Sequence, residues 1–189
     1  MIELFSIPIW KYLFEDFDQT KIKHVLENYK AKSKNSNASN HGGYQSEKNL
    51  QNEADLKNLF VFISKSAIEA ANELNLKFNN IEIIEAWLNV NDTQYSFNHQ
   101  HIHNGVLSGV FYVDVPEGSG NLVIVNPGMN PLWPGYTMIK SRNKLTSEAI
   151  TIKPKDGLLI LWPSYIPHSV ETNSQDVKRI SISFNIMLS

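Results

Sequence analysis

The second half of the chain is a succession of short β-type runs with no helical pattern between them, and this feature constrains the fold most. From residue 81 onward, runs rich in β-branched and aromatic residues read IEIIEAWLNV, GVLSGVFYVDV, NLVIV, AITI, GLLILW, HSVET and RISISFNI. Turn sequences such as Pro116-Glu117-Gly118 and Asn126-Pro127-Gly128 separate them. Seven or eight strands at this spacing predict an antiparallel sandwich or jelly roll.

The first 80 residues carry two helical patterns separated by a polar segment. Apolar side chains recur at i, i+3, i+4 and i+7 spacing over residues 17–32 and again over residues 53–76. Either Asp16 or Asp18 can cap the first of these helices. Residues 33–52 are rich in Ser, Asn and Gly and lack periodicity, which predicts a long surface loop. We expect both helices to pack on the outer face of one sheet.

The length of 189 residues fits one structural domain. We divide it into residues 1–80, which hold an N-terminal strand, two helices and a polar loop, and residues 81–189, which form the β core. The lack of cysteine excludes disulfides, thiolate metal sites and cysteine nucleophiles. The net charge of −2 argues against nucleic acid as a partner. No apolar run is long enough to span a membrane and no secretory signal is evident, so we expect a cytoplasmic protein.

Four histidines lie where strands could bring them together. His99, His101 and His103 alternate ahead of the run at residues 106–115, and His168 opens a later run. On an extended segment, residues i and i+2 face the same side, about 6.6 Å apart, so two neighbours can converge on one metal ion but three cannot. The pairs His101/His103 and His99/His101 satisfy this rule equally, and His101 belongs to both. A jelly roll brings distant strands together, so His168 can supply a third ligand.

An arginine accompanies the histidines. Strand alternation places Arg179, Ser181 and Ser183 on one face of the last β run. Burying an arginine inside a barrel costs free energy unless an anion is present. Because guanidinium binds a carboxylate bidentately, the expected ligand is a carboxylic acid. If this face is instead the solvated outer one, Arg179 pairs with a surface acid.

Other side chains of the β runs divide into lining and core residues. Tyr112, Trp87 and Asn89 are candidates for lining the same pocket, although the sequence does not determine which way each strand faces. Trp162 and Phe184 are interpreted as plain core residues.

Two blocks of sequence carry a family resemblance. HIHNGVLSGVFYVDVPEGSGNLVIVNPG and PKDGLLILWPSYIPHSVETNSQDVKRISISFNI resemble the small bacterial and phage 2-oxoglutarate- and Fe(II)-dependent oxygenases. These enzymes belong to the double-stranded β-helix superfamily, which also contains the prolyl hydroxylases. The resemblance covers residues 81–186. It implies a mostly β, cupin-like jelly roll of the double-stranded β-helix type, with two helices packed on one sheet.

The resemblance also implies an activity and a set of site residues. The activity is that of a hydroxylase with Fe(II) as cofactor, 2-oxoglutarate as cosubstrate and O2 as oxidant, acting on an unidentified small molecule or peptide and releasing succinate and CO2. The metal ligands implied are His101, His103 and His168. Arg179 would receive the far carboxylate of 2-oxoglutarate, with Ser181 beside it, and we add Tyr112 to this group.

One departure from the usual ligand pattern leaves the metal site open. The superfamily normally uses two histidines and one carboxylate, but no acid lies two residues after His99, His101 or His103. A three-histidine iron site is chemically workable, because iron accepts imidazole and the oxoacid supplies negative charge. Alternatively, Asp114 folds back from the neighbouring strand.

Two other classes of protein use the same residues. One is a cupin-like metalloenzyme without 2-oxoglutarate, either a three-histidine dioxygenase or an isomerase, in which Arg179 binds the substrate directly. The other is a non-catalytic ligand-binding module in which the histidines are structural.

Overall fold

Two antiparallel sheets face each other in the computed structural model, which describes residues 6–36, 38–143 and 145–189. The larger sheet has the strand order β1-β9-β6-β11-β4-β3, and the smaller has the order β2-β5-β10-β7-β8. The strands are β1 Trp10–Leu13, β2 Asn40–His41, β3 Tyr44–Gln45, β4 Ile81–Asn91, β5 Phe97–His101, β6 Leu107–Asp114, β7 Leu122–Val125, β8 Ala149–Ile152, β9 Leu158–Pro163, β10 His168–Val170 and β11 Arg179–Leu188. The helices are α1 Gln19–Lys32 and α2 Lys57–Glu73. The predicted jelly roll with N-terminal helices is confirmed.

Both helices pack on the outer face of the larger sheet. Helix α1 begins after Asp18, whose carboxylate accepts a hydrogen bond from the backbone N–H of Lys21, so Asp18 rather than Asp16 caps it. The buried stripe of α1, which includes Leu26, belongs to the same apolar cluster as residues of α2 and of the sheet. Helix α2 begins four residues later than the periodicity predicts, because residues 50–56 form two short 3₁₀ turns instead.

Strand β11 shows the predicted alternation. Ile180, Ile182 and Phe184 lie in the cluster under the helices, and Phe184 is therefore core as predicted. Arg179 and Ser181 line a cavity between the two sheets. One face of β11 thus supports the helices while the other is available for chemistry.

The prediction of an irregular loop over residues 33–52 is wrong in part. Strand β2 adds to β5 at the edge of the smaller sheet, and β3 adds to β4 at the edge of the larger one. Gly43 permits this approach, because a Cβ there would overlap the carbonyl oxygen of Val90. Leu50, in the same segment, is fully buried. Two-residue strands are too short to leave a periodic signal in a sequence.

The division of the chain at residue 80 stays a prediction. Within the described ranges, no helix is both long and apolar enough to cross a lipid bilayer.

Close packing between the layers makes Gly109 of β6 sensitive to added volume. A Cβ at Gly109 would lie 2.5 Å from Cζ of Phe184 and 2.7 Å from the carbonyl oxygen of Ile160. We expect Gly109→Ala to lower the free energy of unfolding by about 1–3 kcal/mol, because the backbone at Ile160 cannot shift away from the added methyl group as a flexible side chain could. Urea denaturation followed by circular dichroism measures this.

Gly128→Ala is the matched control. A Cβ at Gly128 would meet only a side-chain oxygen of Asn126, at 3.4 Å. Equal stability losses in the two variants would contradict the packing argument.

Candidate metal centre

Three imidazole rings meet at one end of the cavity between the sheets. His168 of β10 stands directly opposite His101 of β5 in the antiparallel pairing. His103 follows the end of β5, where its backbone N–H donates to the carbonyl of Ser164 at 3.1 Å. The ring centroids are separated by 4.4 Å (His101 to His168), 4.7 Å (His101 to His103) and 4.9 Å (His103 to His168). One nitrogen of each ring lies within 4.8 Å of the others, so the three can converge on one metal ion.

A β-bulge separates His99 from this cluster. Asn98 pairs with Val170 and His101 pairs with His168, so the two residues between them on β5 lie opposite a single residue of β10. The extra residue breaks the alternation that would have put His99 and His101 on the same face. The ring of His99 packs instead against those of His41, at 4.1 Å, and Phe97, at 4.8 Å. Of the two pairs left open by the sequence, the geometry brings together His101 and His103.

Backbone carbonyls orient two of the rings. Nδ1 of His101 lies 2.6 Å from the carbonyl oxygen of His99, and Nδ1 of His168 lies 3.0 Å from that of Ile166. Because a carbonyl only accepts, each Nδ1 carries the proton, and Nε2 keeps the lone pair that a metal needs.

The environment of the three rings favours the neutral form that ligates metals. Burial is the main cause that lowers the pKa of His103 to about 3 and that of His168 to about 4, and in each case a neighbouring histidine lowers it further. Burial also lowers the pKa of His101. All three imidazoles are therefore uncharged at neutral pH.

Asp114 does not reach the cluster. Its carboxylate forms an ion pair with Lys23 of helix α1, on the other side of the sheet. Among the residues that the structure describes, the ligand cluster consists of the three histidines without a carboxylate.

Arg179 lies at the other end of the cavity and is 1% exposed. Its terminal nitrogens donate to the carbonyl of Gly120 at 2.9 Å and to Oδ1 of Asn91 at 2.8 Å. Its Nε–H has no partner, and no carboxylate in the described ranges forms an ion pair with it. The alternative in which Arg179 faces solvent and pairs with a surface acid is wrong.

Two hydroxyl groups accompany Arg179. The ring of Tyr112 lies 5.9 Å from the guanidinium carbon, and Tyr112 and Ser181 stand opposite each other on neighbouring strands. Burial raises the pKa of Tyr112 to about 12, so its hydroxyl stays protonated. Neither hydroxyl has a hydrogen-bond partner within the described part of the chain. Arg179 Nε–H and these two hydroxyls form a donor set that fits a carboxylate.

The remaining residues in and behind the cavity wall include one correction and one omission. Trp87 and Asn89 line the cavity as expected. Trp162, interpreted from sequence as core, is buried but also lines the cavity, with its ring 4.7 Å from that of His168. Asn91, which holds the guanidinium, was missed. Asn91 lies two residues after Asn89 on β4 and therefore faces the same side as Trp87 and Asn89, which is the pattern that could have identified it.

The space around the site has two parts. The inner cavity between the histidines and Arg179 is narrow, about 30 Å³, which is room for no more than a few water molecules. A five-carbon diacid therefore requires the lining side chains to move apart. A wider groove of about 340 Å³ opens beside His101 and His103, and Ser39, Gln45 and Lys48 form part of its wall.

Two facing antiparallel sheets with a histidine cluster and a buried arginine between them define a double-stranded β-helix protein with a candidate metal centre. Residues 85–185 match the family described as "Putative 2OG-Fe(II) oxygenase". The match covers more than half of the chain, which therefore belongs to this family of oxygenases. Their cofactor is Fe(II) and their cosubstrate is 2-oxoglutarate. The comparison with curated proteins finds no match.

Solved structures of similar fold include several oxygenases of this kind. A Pseudomonas putida prolyl-4-hydroxylase shares 12% identity with a TM-score of 0.67, over 97% of this chain and 94% of that chain. The α-ketoglutarate-dependent carbocyclase SnoK from nogalamycin biosynthesis shares 15% identity with a TM-score of 0.69, over 96% and 79%. The epimerase SnoN, in complex with Fe3+, α-ketoglutarate and nogalamycin RO, shares 13% identity with a TM-score of 0.65, over 96% and 79%. These identities establish a shared fold and leave the reaction open.

The histidine cluster predicts a selective loss of metal on substitution. We expect His168→Ala to weaken Fe(II) binding by about tenfold or more, because even the loss of a group that only orients a ligand has effects of roughly 10–100-fold. Anaerobic Fe(II) titration, with metal analysis of protein purified without a polyhistidine tag, measures this.

His99→Ala is the control, since His99 lies on the same strand and faces away from the cluster. Undiminished Fe(II) binding in His168→Ala, or an equal loss in His99→Ala, would rule out the three-histidine centre.

Proposed function

We propose that this oxygenase is an Fe(II)- and 2-oxoglutarate-dependent hydroxylase whose iron is held by His101, His103 and His168. The observation that carries the proposal is the buried guanidinium of Arg179, which lies in the same cavity as the histidines and has no carboxylate partner in the described chain. A buried charge without a counterion is costly. A dianionic ligand reaching from Arg179 to the metal removes that cost.

The residues at the two ends of the cavity have different proposed roles. At the inner end, Arg179, Tyr112 and Ser181 bind the C5 carboxylate and so orient the diacid. At the outer end, His101 and His168 would present their Nε2 atoms to the metal and His103 would present one ring nitrogen. Iron and 2-oxoglutarate together supply the oxidation of a substrate C–H bond by O2, with release of succinate and CO2.

Apolar side chains between the two ends exclude water from the reaction. Val110, Leu122 and Val170 line the middle of the cavity, and Leu122 is 2% exposed. Such walls strengthen the interaction of the guanidinium with a carboxylate and limit side reactions with solvent.

The substrate would enter through the groove beside His101 and His103. Trp87 and Lys48 supply an aromatic face and a cation on its wall, with Lys48 Nζ 5.3 Å from the Trp87 ring centroid. A small molecule or a peptide segment fits a groove of this size, whereas the net charge of −2 argues against nucleic acid. The cytoplasmic location stays a prediction.

Hydroxylation is proposed over the other outcomes that this chemistry permits. Two of the similar folds are named as an epimerase and a carbocyclase. The family match favours 2-oxoglutarate use over a cupin-like enzyme without an oxoacid and over a non-catalytic module.

Substitution of Arg179 tests the proposal. We expect Arg179→Gln to raise the dissociation constant of 2-oxoglutarate about tenfold or more, because a hydrogen bond to a charged group contributes roughly 1.5–3 kcal/mol. The measurement is the visible charge-transfer band as 2-oxoglutarate is titrated into anaerobic Fe(II)-loaded protein, together with succinate release against substrate pools.

Arg142→Gln is the matched control, because Arg142 lies on the surface and pairs with Glu148. If Arg179→Gln proves too unstable to assay, Tyr112→Phe removes one donor at the same end and should weaken binding severalfold. A 2-oxoglutarate affinity that neither substitution changes would mean that the cosubstrate assignment is wrong.

A further inference from the structure

The histidine end of the cavity contains a hydrogen-bond donor that the proposed function leaves unused. Trp162 is 2% exposed, its ring lies 4.7 Å from that of His168, and its indole Nε1–H has no partner. A buried N–H without an acceptor is unfavourable and rare in folded proteins. By contrast, the indole Nε1–H of the buried Trp10 donates a hydrogen bond to the Glu73 carboxylate at 2.7 Å.

Unsatisfied polar atoms are concentrated in this cavity. Four side-chain atoms that solvent does not reach lack partners in the described ranges, and three of them belong to residues that line the cavity: Asn89, Trp162 and Arg179. This distribution points to a polar ligand whose atoms complete the hydrogen bonding.

The strand register separates Trp162 from the arginine end. Trp162 of β9 stands opposite Ser108 of β6, whereas Tyr112, four residues further along β6, stands opposite Ser181. Four residues of strand correspond to about 13 Å. Trp162 therefore cannot share the carboxylate that Arg179, Tyr112 and Ser181 bind.

Polar groups close to Trp162 on β6 and β10 already form other hydrogen bonds. The Ser108 hydroxyl bonds to the hydroxyl of Ser164 and to Oδ1 of Asn185, each at 2.8 Å. The Nδ1 of His168 is committed to the carbonyl of Ile166. No atom of the described chain accepts a hydrogen bond from Trp162 Nε1–H, and a bound molecule can supply the missing acceptor.

We propose that Trp162 donates a hydrogen bond from Nε1 to the carboxylate of 2-oxoglutarate that lies at the histidine end of the cavity. This inference rests on the proposed function, since it assumes that the oxoacid binds with its other carboxylate at Arg179. Trp162 is then a cosubstrate-binding residue in addition to a packing residue. Phenylalanine would fill much of the same space and would lack the donor.

Indole resonances of the unaltered protein provide the first test. Trp10, Trp87, Trp133 and Trp162 are the four tryptophans of the chain, so 15N-tryptophan labelling of Zn(II)-loaded protein gives four indole signals. On addition of 2-oxoglutarate, we expect the Trp162 proton to shift downfield and to exchange more slowly with solvent, while those of Trp10 and Trp133 stay in place. A Trp162 signal that moves fully with Zn(II) alone would identify metal-bound water as the acceptor and overturn the proposal.

Calorimetry on a variant provides the second test. We expect Trp162→Phe to weaken 2-oxoglutarate binding to Zn(II)-loaded protein about tenfold, as for other hydrogen bonds to a charged group, while Zn(II) affinity without 2-oxoglutarate changes less than about twofold. Trp133→Phe, at a half-exposed position, is the matched control and should leave both affinities unchanged. Unaltered 2-oxoglutarate affinity in Trp162→Phe would overturn the proposal.

The proposed function and the role of Trp162 are contradicted by different results. If the unaltered protein does not bind 2-oxoglutarate, the proposed function itself is wrong. If it binds 2-oxoglutarate and the Trp162 signal does not move, only the role of Trp162 is wrong. Should Trp162→Phe fail to fold, Trp162 is assigned by elimination from phenylalanine variants at the other three tryptophans, and the resonance test still decides.

Discussion

The antiparallel pairing of β10 with β5 is the interaction on which the candidate site depends. It sets His168 opposite His101, while the bulge in β5 lets His101 face the cavity and turns His99 away. Backbone hydrogen bonds determine this register, and a shift of one residue would move each ring to the opposite face. The ligand geometry therefore depends on the sheet as a whole, and two of the rings are further aligned by carbonyls of their own strand or the preceding turn.

The inner face of the larger sheet has a composition that stability alone does not favour. Its neighbouring strands place a cation, two hydroxyls and several amides where an apolar layer would pack better. The helix-facing side of the same strands is apolar and belongs to the larger apolar cluster. Each strand thus combines a stabilising face with a binding face, and the polar atoms that lack partners mark where a ligand belongs.

Some features of the fold and of the candidate site could be predicted from the sequence and others could not, for physical reasons. Alternation along β11 predicted that Arg179 and Ser181 share one face, since a regular strand keeps its period of two, but it did not predict which face points into the cavity. The bulge at β5 was not predictable, because it depends on which partner β5 meets. Trp162 was interpreted as core because an indole on an apolar strand looks the same whether it faces helices or a cavity. The two-residue strands within residues 33–52 left no periodic trace.

The use of three histidines changes the electrostatics of the cavity. With a carboxylate ligand, the protein itself would supply one negative charge to the metal; the neutral imidazoles here supply none. Within the described chain, no acidic residue lines the inner cavity, and the only formal charge on its wall is Arg179. A divalent metal and a guanidinium together exceed the two negative charges of 2-oxoglutarate. Under the proposed function, the oxoacid would be the main counterion of both ends of the cavity, which would account for the hydrogen-bond donors that have no partner in the described chain.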